Sequence, residues 1–333
     1  MQFTRAVNFH FSCFAILGAL ALSSCSRIDS HHFSSQKQFT DLGRDNDAVA
    51  SRLLRYQGKS SHCKSVSGVN YRVMLTGFGP FGGVPVNTSG LVAMNFSRFM
   101  NRRNPRLIIP KINESDANAI VHQDIVKINN ARIAVCAVET SVIWDLAGSI
   151  YLHEASLFKP DLIIMSGVDS RSPFIGTWEQ YSSNIAIGKS GYEGDGRASS
   201  VTPVQSNADS TIEIFPGGPE NIFMTWDAAD LAAKTNLIVR EKLENFELWS
   251  SPTENTGDYL CNNVSYVVLA AIAGFTLPLA GGNMIVHSGG LRATKVGFFH
   301  YPSSSPHDEY SVKVWSEVMA KAIEAEMGNI FTQ

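Results

Sequence analysis

A cysteine, a histidine and a glutamate in this chain each sit in a setting that suits nucleophilic catalysis. Cys261 lies in Asn255-Thr-Gly-Asp-Tyr-Leu-Cys-Asn-Asn263, just ahead of Val264, Val267, Val268 and Ala271, which recur at helical spacing. Gly257 and Asp258 read as a turn, so the sulfur is expected at or near a helix N-terminus. There, backbone N–H groups and the helix dipole favour the thiolate, which is the nucleophilic form. The local pattern alone also suits a small buried hydrophobe. His300 closes the short apolar segment Lys295-Val-Gly-Phe-Phe-His300. That places it at the carboxyl end of a strand, where open α/β sheets gather ligands. Glu179, in Thr177-Trp-Glu-Gln-Tyr-Ser-Ser-Asn184, follows the strand-like Asp161-Leu-Ile-Ile-Met165 and the loop Ser166–Arg171. A buried glutamate beside an imidazole would fix its tautomer and stabilise the imidazolium.

A fourth segment, Arg72-Val-Met-Leu-Thr-Gly-Phe-Gly-Pro-Phe-Gly-Gly83, reads as a strand entering a Gly-rich turn. It lacks the Gly-Lys-Ser/Thr of a phosphate loop and the Gly-x-Gly-x-x-Gly spacing of a dinucleotide site. Phe78 and Phe81 either line a flat apolar slot or belong to the core.

Together these segments resemble the pyroglutamyl peptidase I family of cysteine peptidases. Thr76-Gly-Phe-Gly-Pro-Phe-Gly-Gly83 with Asn87 is similar to the family's opening signature. Glu179 to Asn184 resembles its catalytic-glutamate stretch, Thr256-Gly-Asp-Tyr-Leu-Cys-Asn262 its cysteine stretch, and Gly297-Phe-Phe-His-Tyr-Pro302 its histidine stretch. The order Glu, Cys, His is the family order, and the resemblance runs from about Tyr71 to the C-terminus. It implies Cys261 as nucleophile, His300 as base and Glu179 as orienting group. It further implies a lactam slot at Phe78 and Phe81, amide hydrogen bonds from Asn87 and Thr140, and an oxyanion partner at Lys189. Three departures stand out: Val168 where the family has a glutamine, Lys189 where it has an arginine, and Asn87-Thr-Ser89 for Asn-Pro-Ser. Lysine keeps the charge but loses the planar fork.

The 333 residues are 44% hydrophobic, which suits one sizeable domain with additional sequence. A net charge of −3 and the lack of a Lys/Arg stripe argue against nucleic acid as a partner. There is no Cys-x-x-Cys or His-Glu-x-x-His spacing, so no metal or other cofactor is expected. Arg5 followed by an apolar stretch from Phe9 to Leu22 reads as a targeting segment too short to span a membrane comfortably. It ends in Leu22-Ser-Ser-Cys25, which resembles a bacterial lipoprotein box and implies a lipidated Cys25 on an exported, membrane-anchored protein. Three cysteines then remain, and an odd number leaves at least one unpaired thiol. Cys136 reads as core within a strand, and Cys63 falls in a linker.

Residues 1–24 are thus expected to be a signal, 25–70 a flexible tether with a helical stretch near Asp47–Tyr56, and 71–333 one catalytic domain. Strands are expected at Arg72–Thr76, Arg132–Ala137, Asp161–Met165, Lys295–His300 and Asn283–His287. Helices are expected at Ser89–Met100, Ile143–Phe158, Ala228–Asn245, Asn262–Ala273 and Asp308–Glu326. This alternation predicts an α/β fold with a mostly parallel sheet and helices on both faces. Ser190 to Pro219, rich in Gly, Ser and Asp, is a candidate lid or homo-oligomer loop. The expected activity is removal of an N-terminal pyroglutamyl residue from peptides. The alternatives are hydrolysis of a different amide and a catalytically quiet binding module on the same scaffold.

Overall fold

Strands buried on both faces read as near-continuous apolar runs, and the chain has four of them at the centre of its sheet. The computed structural model describes residues 47–80, 84–101, 106–112, 119–169, 172–185, 191–192, 198–199, 213–251, 260–279, 284–286, 291 and 294–331. The signal, Cys25, Phe81 and Lys189 lie outside the described residues, as does most of the Ser190–Pro219 segment. The main-sheet strands are β1 (Tyr71–Phe78), β2 (Ala119–Ile128), β3 (Ala131–Thr140), β4 (Leu162–Asp169) and β5 (Ile175–Glu179). Short strands β6 (Tyr181–Ser183), β7 (Gly191–Tyr192), β8 (Ala198–Ser199) and β9 (Asn221–Phe223) follow, then β10 (Glu247–Ser251), β11 (Leu277–Leu279), β12 (Met284–Val286) and β13 (Lys295–Pro302).

The seven-stranded sheet runs β10-β5-β13-β4-β1-β3-β2. β3, β1, β4 and β13 are mutually parallel, as are β10 and β5. The β5–β13 and β2–β3 pairs are antiparallel. The expected mostly parallel α/β sheet is therefore present. β2, β5 and β10 were not foreseen, because their mixed or short sequences carry no strong apolar signal. The remaining short strands pair as β6–β9, β7–β8 and β11–β12.

Among the described residues six helices surround the sheet: α1 (47–57), α2 (Thr88–Met100), α3 (Leu146–Phe158), α4 (Ala228–Lys242), α5 (Leu260–Ile272) and α6 (Glu309–Phe331). α2 and α4 both pack on α6, and α3 packs on α5, giving two helical layers about the sheet. Asp227 caps α4 by accepting from the Asp230 N–H, and Arg240 and Lys242 lie in its last turn, matching the helix dipole at both ends. The stripe Val312, Trp315, Val318, Met319, Ala322 and Ile323 on α6 is fully or almost fully buried, as its helical spacing requires.

The flexible tether expected over 25–70 does not extend through its second half. Val49, Leu53 and Tyr56 of α1 are buried in the main core. Cys63 forms a disulfide with Cys136 of β3, 73 residues away. Residues 47–70 are thus an arm fastened to the domain. Cys136, expected as a core residue within a strand, is buried there and is half of that bond.

Candidate active site

His300 lies near the carboxyl end of the parallel strand β13, Glu179 at the end of the antiparallel β5, and Cys261 at the start of α5. β13 sets His300 beside Gly167 of β4 and Thr177 of β5. Glu179 ends β5, and its backbone carbonyl accepts from the Trp226 indole N–H at 2.9 Å. Gly297 of β13 is needed for this arrangement, since a Cβ there would lie 2.0 Å from the Trp226 ring. Cys261 stands in the first turn of α5, as its sequence predicts, partly buried and the one free cysteine among the described residues.

The three meet at one imidazole. His300 Nδ1 lies 2.7 Å from Glu179 Oε1, with both side chains almost wholly buried. The Cys261 sulfur is the other group close enough to act on the ring's charge. Burial alone would lower the His300 pKa. The Cys261 sulfur and the Glu179 carboxylate outweigh burial and raise it well above the ordinary imidazole range. The imidazole is therefore held toward its protonated form beside the Cys261 sulfur, the kind of neighbour that favours a nucleophilic cysteine.

Neighbouring residues hold Cys261 in place, and sequence reasoning missed them. Asn262, fully buried, accepts from the Ser183 N–H at 2.9 Å and donates to the Ser183 and Ile185 carbonyls at 2.8 and 2.7 Å. Asn263 accepts from the Asp145 N–H and donates to its carboxylate, both at 3.1 Å. Ser265 donates to the Cys261 carbonyl at 2.6 Å. Two asparagines at the start of an otherwise apolar helix were the available signal. Gly167 is required because a Cβ there would come 2.6 Å from the Cys261 sulfur and 3.5 Å from Phe78. Phe78 thus lies near the Cys261 sulfur and is itself buried in the hydrophobic core, the other reading its sequence allowed. Val168, next to Gly167, packs partly buried against the core.

Asn87 and Thr140 are both engaged in hydrogen bonds within the protein. Asn87 caps α2: its Oδ1 accepts from the Ser89 N–H at 3.1 Å and the Ser89 hydroxyl at 2.8 Å, while Nδ2 donates to the Gly79 carbonyl at 3.3 Å. Thr140 is fully buried, its hydroxyl 3.0 Å from the Tyr151 hydroxyl, which also donates to the Gly77 carbonyl at 2.9 Å. Both side chains brace the end of β1.

Glu139, adjacent in β3, faces the opposite side of the sheet. It is buried between Gly79 and Gly90, where added Cβ atoms would lie 3.2 and 2.5 Å from its carboxylate oxygens. Burial pushes its pKa up from 4.5 to about 8. The folded state therefore holds a proton that the unfolded chain releases, and stability should fall as pH rises from about 4.5 to about 8. Glu139→Gln should flatten that slope. Chemical denaturation at pH 5 and pH 8 should show a variant advantage at pH 8 on the order of a few kcal/mol, and little at pH 5.

Among the described residues, trios of metal-ligating side chains occur only around α3 and the N-terminal arm, away from His300. No family model and no curated sequence matches the chain. Solved structures similar to it include pyroglutamyl peptidase I from Bacillus amyloliquefaciens, at 16% identity and a TM-score of 0.49 over 76% of this chain and 95% of that one. A variant of pyrrolidone carboxyl peptidase from the hyperthermophile Pyrococcus furiosus is similar at 19% identity and a TM-score of 0.48, over 76% of this chain and 99% of that one. Likeness at this level assigns neither an activity nor residue roles.

Proposed function

We propose that the chain is a cysteine peptidase that removes N-terminal pyroglutamyl residues through a thioester intermediate. The observation that carries the reading is the buried His300 shared by Glu179, at 2.7 Å, and by the Cys261 sulfur. In this mechanism the Cys261 thiolate attacks the carbonyl of the pyroglutamyl residue. His300 gives its proton to the departing amine, then takes one from the water that hydrolyses the thioester. Glu179 keeps the imidazole oriented and its cation stabilised throughout. Backbone amides at the start of α5, with Lys189, hold the oxyanion. The substrate class rests on the sequence motifs around Phe78, Glu179, Cys261 and His300, together with Phe78 beside the sulfur. Release of coumarin from a pyroglutamyl-coumarin amide, set against alanyl and prolyl amides, tests it: turnover of the pyroglutamyl amide alone supports the reading.

Loss of the Glu179 charge should leave His300 easier to deprotonate. The alkaline limb of kcat/KM is expected to lie above neutral in the unmodified protein and to move to lower pH in Glu179→Gln. An unmoved limb would assign it to another group.

One observation favours a second substrate within the same chemistry. Val168 replaces the family's glutamine, and Asn87 and Thr140 are already engaged. A lactam or amide other than pyroglutamyl would then be cleaved by the same three residues, and a panel of N-acyl coumarin amides separates the two.

We further propose that Cys25 is lipidated and anchors an exported protein to a bacterial membrane. Among the described residues no helix is long and apolar enough to cross a membrane. Several acyl chains would anchor stably where one is marginal, at ~0.8 kcal/mol per buried CH₂. Intact mass of the mature protein should show a terminus at Cys25 carrying lipid. A start elsewhere without lipid would leave an ordinary secretory signal.

A further inference from the structure

The N-terminal arm brings a second group of chemistry-bearing side chains onto α3, where His153 and Glu154 are consecutive. Glu154 is fully buried. Its Oε1 accepts from the Tyr56 hydroxyl at 2.6 Å and lies 2.6 Å from His62 Nδ1, and its Oε2 accepts from the Cys63 N–H at 2.8 Å. The His62 and His153 rings meet edge to face with centroids 4.9 Å apart. A carboxylate only accepts, so Glu154 keeps the His62 proton on Nδ1 and leaves Nε2 as a bare lone pair. That Nε2 and the Nε2 of His153 are both buried, and neither has a hydrogen-bond partner. One ligand atom from each of His62, His153 and Glu154 lies within 4.8 Å of the others.

Two buried ring nitrogens without partners are costly, and hydrogen bonding within the cluster leaves both unmet. We propose that His62 and His153, with Glu154 behind His62, form a binding site for a divalent transition cation of the zinc type. Imidazole nitrogens suit such cations. A carboxylate on the far nitrogen of a ligating histidine is the usual outer partner: it fixes the ring and raises its basicity. Water completes the coordination, and the His62 side chain, 10% exposed, leaves a way in. The cation would clamp the arm to α3 across a sequence gap of some ninety residues, which is why no spacing motif announced it. α3 in turn packs on α5, the helix that carries Cys261.

Cys261 and His300 could themselves take zinc, so the test uses the full, untagged, oxidised chain carrying Cys261→Ser. Cys63 and Cys136 then present no thiolate. Calorimetric titration with Zn²⁺ should show one equivalent bound with a Kd of micromolar or tighter, and the thermal midpoint should rise with Zn²⁺ concentration. His62→Gln and His153→Gln should each weaken binding at least tenfold. The Co²⁺ derivative should show ligand-field bands without a thiolate charge-transfer band. No stoichiometric uptake by the chain with both histidines present would overturn the proposal, whatever the stability of the variants. So would binding that survives both substitutions, or a thiolate band that places the metal on a cysteine.

Discussion

Cys261→Ala and Cys261→Ser are expected to lower kcat/KM for a pyroglutamyl-coumarin amide by roughly 10⁴-fold or more while leaving the fold intact. The magnitude follows from what nucleophile removal costs in acyl-transfer enzymes whose groups act as a unit. The small size of both replacements protects the fold, because Cys261 is only partly buried and its neighbours Asn262 and Asn263 make the hydrogen bonds that fix the helix start. The serine hydroxyl lacks the thiolate's nucleophilicity at neutral pH, so it should rescue little. Glu179→Ala should cost less than loss of the nucleophile. Combined with Cys261→Ser it should add almost nothing further, since an orienting group has no effect once the nucleophile is gone. Iodoacetamide under non-reducing conditions should label Cys261 among the described cysteines, with Cys63 and Cys136 closed in their disulfide.

The second large effect is on stability. The Cys63–Cys136 bond closes a loop across a separation of 73 residues, for which chain-entropy arguments give about 4 kcal/mol of stabilisation. The paired substitution Cys63→Ser with Cys136→Ser should therefore lower the unfolding free energy by about 2–4 kcal/mol in denaturant titrations. Reduction of the unmodified protein should do the same. Because the arm also buries Tyr56 and Val49, it should stay docked under mild conditions, and the loss should appear first as earlier proteolysis between residues 47 and 70. A double variant as stable as the parent would mean the arm's apolar packing already fixes it.

Burial on both faces is what made the centre of the fold legible. β1, β3, β4 and β13 each carry a run of consecutive apolar residues, and the helices α2 to α6 carry helical periods or capping residues. β2 escaped because it is an edge strand with only its inner positions buried. β5 and β10 are five residues each and polar at half their positions. Cys261, His300 and Glu179 were legible because each lies next to a strand end or helix start, where the chain must leave its regular element. The bracing role of Asn87 and Thr140 was not legible, for a physical reason. Polar side chains at a site can as easily brace the backbone there, and the hydrogen bonds to Gly79, Ser89 and Tyr151 do so. The disulfide and the His62–Glu154 contact were invisible because they join residues far apart in sequence with no local pattern to mark them.

The central claim is that Cys261 carries the acyl group. Mixing the protein with excess pyroglutamyl-coumarin amide, quenching in acid within the first turnovers and mapping the adduct by mass spectrometry tests it directly. One pyroglutamyl group on the peptide containing Cys261, absent from Cys261→Ala, is the predicted result. Coumarin release by the Cys261→Ala protein, or an acyl group trapped on any other residue, would contradict it.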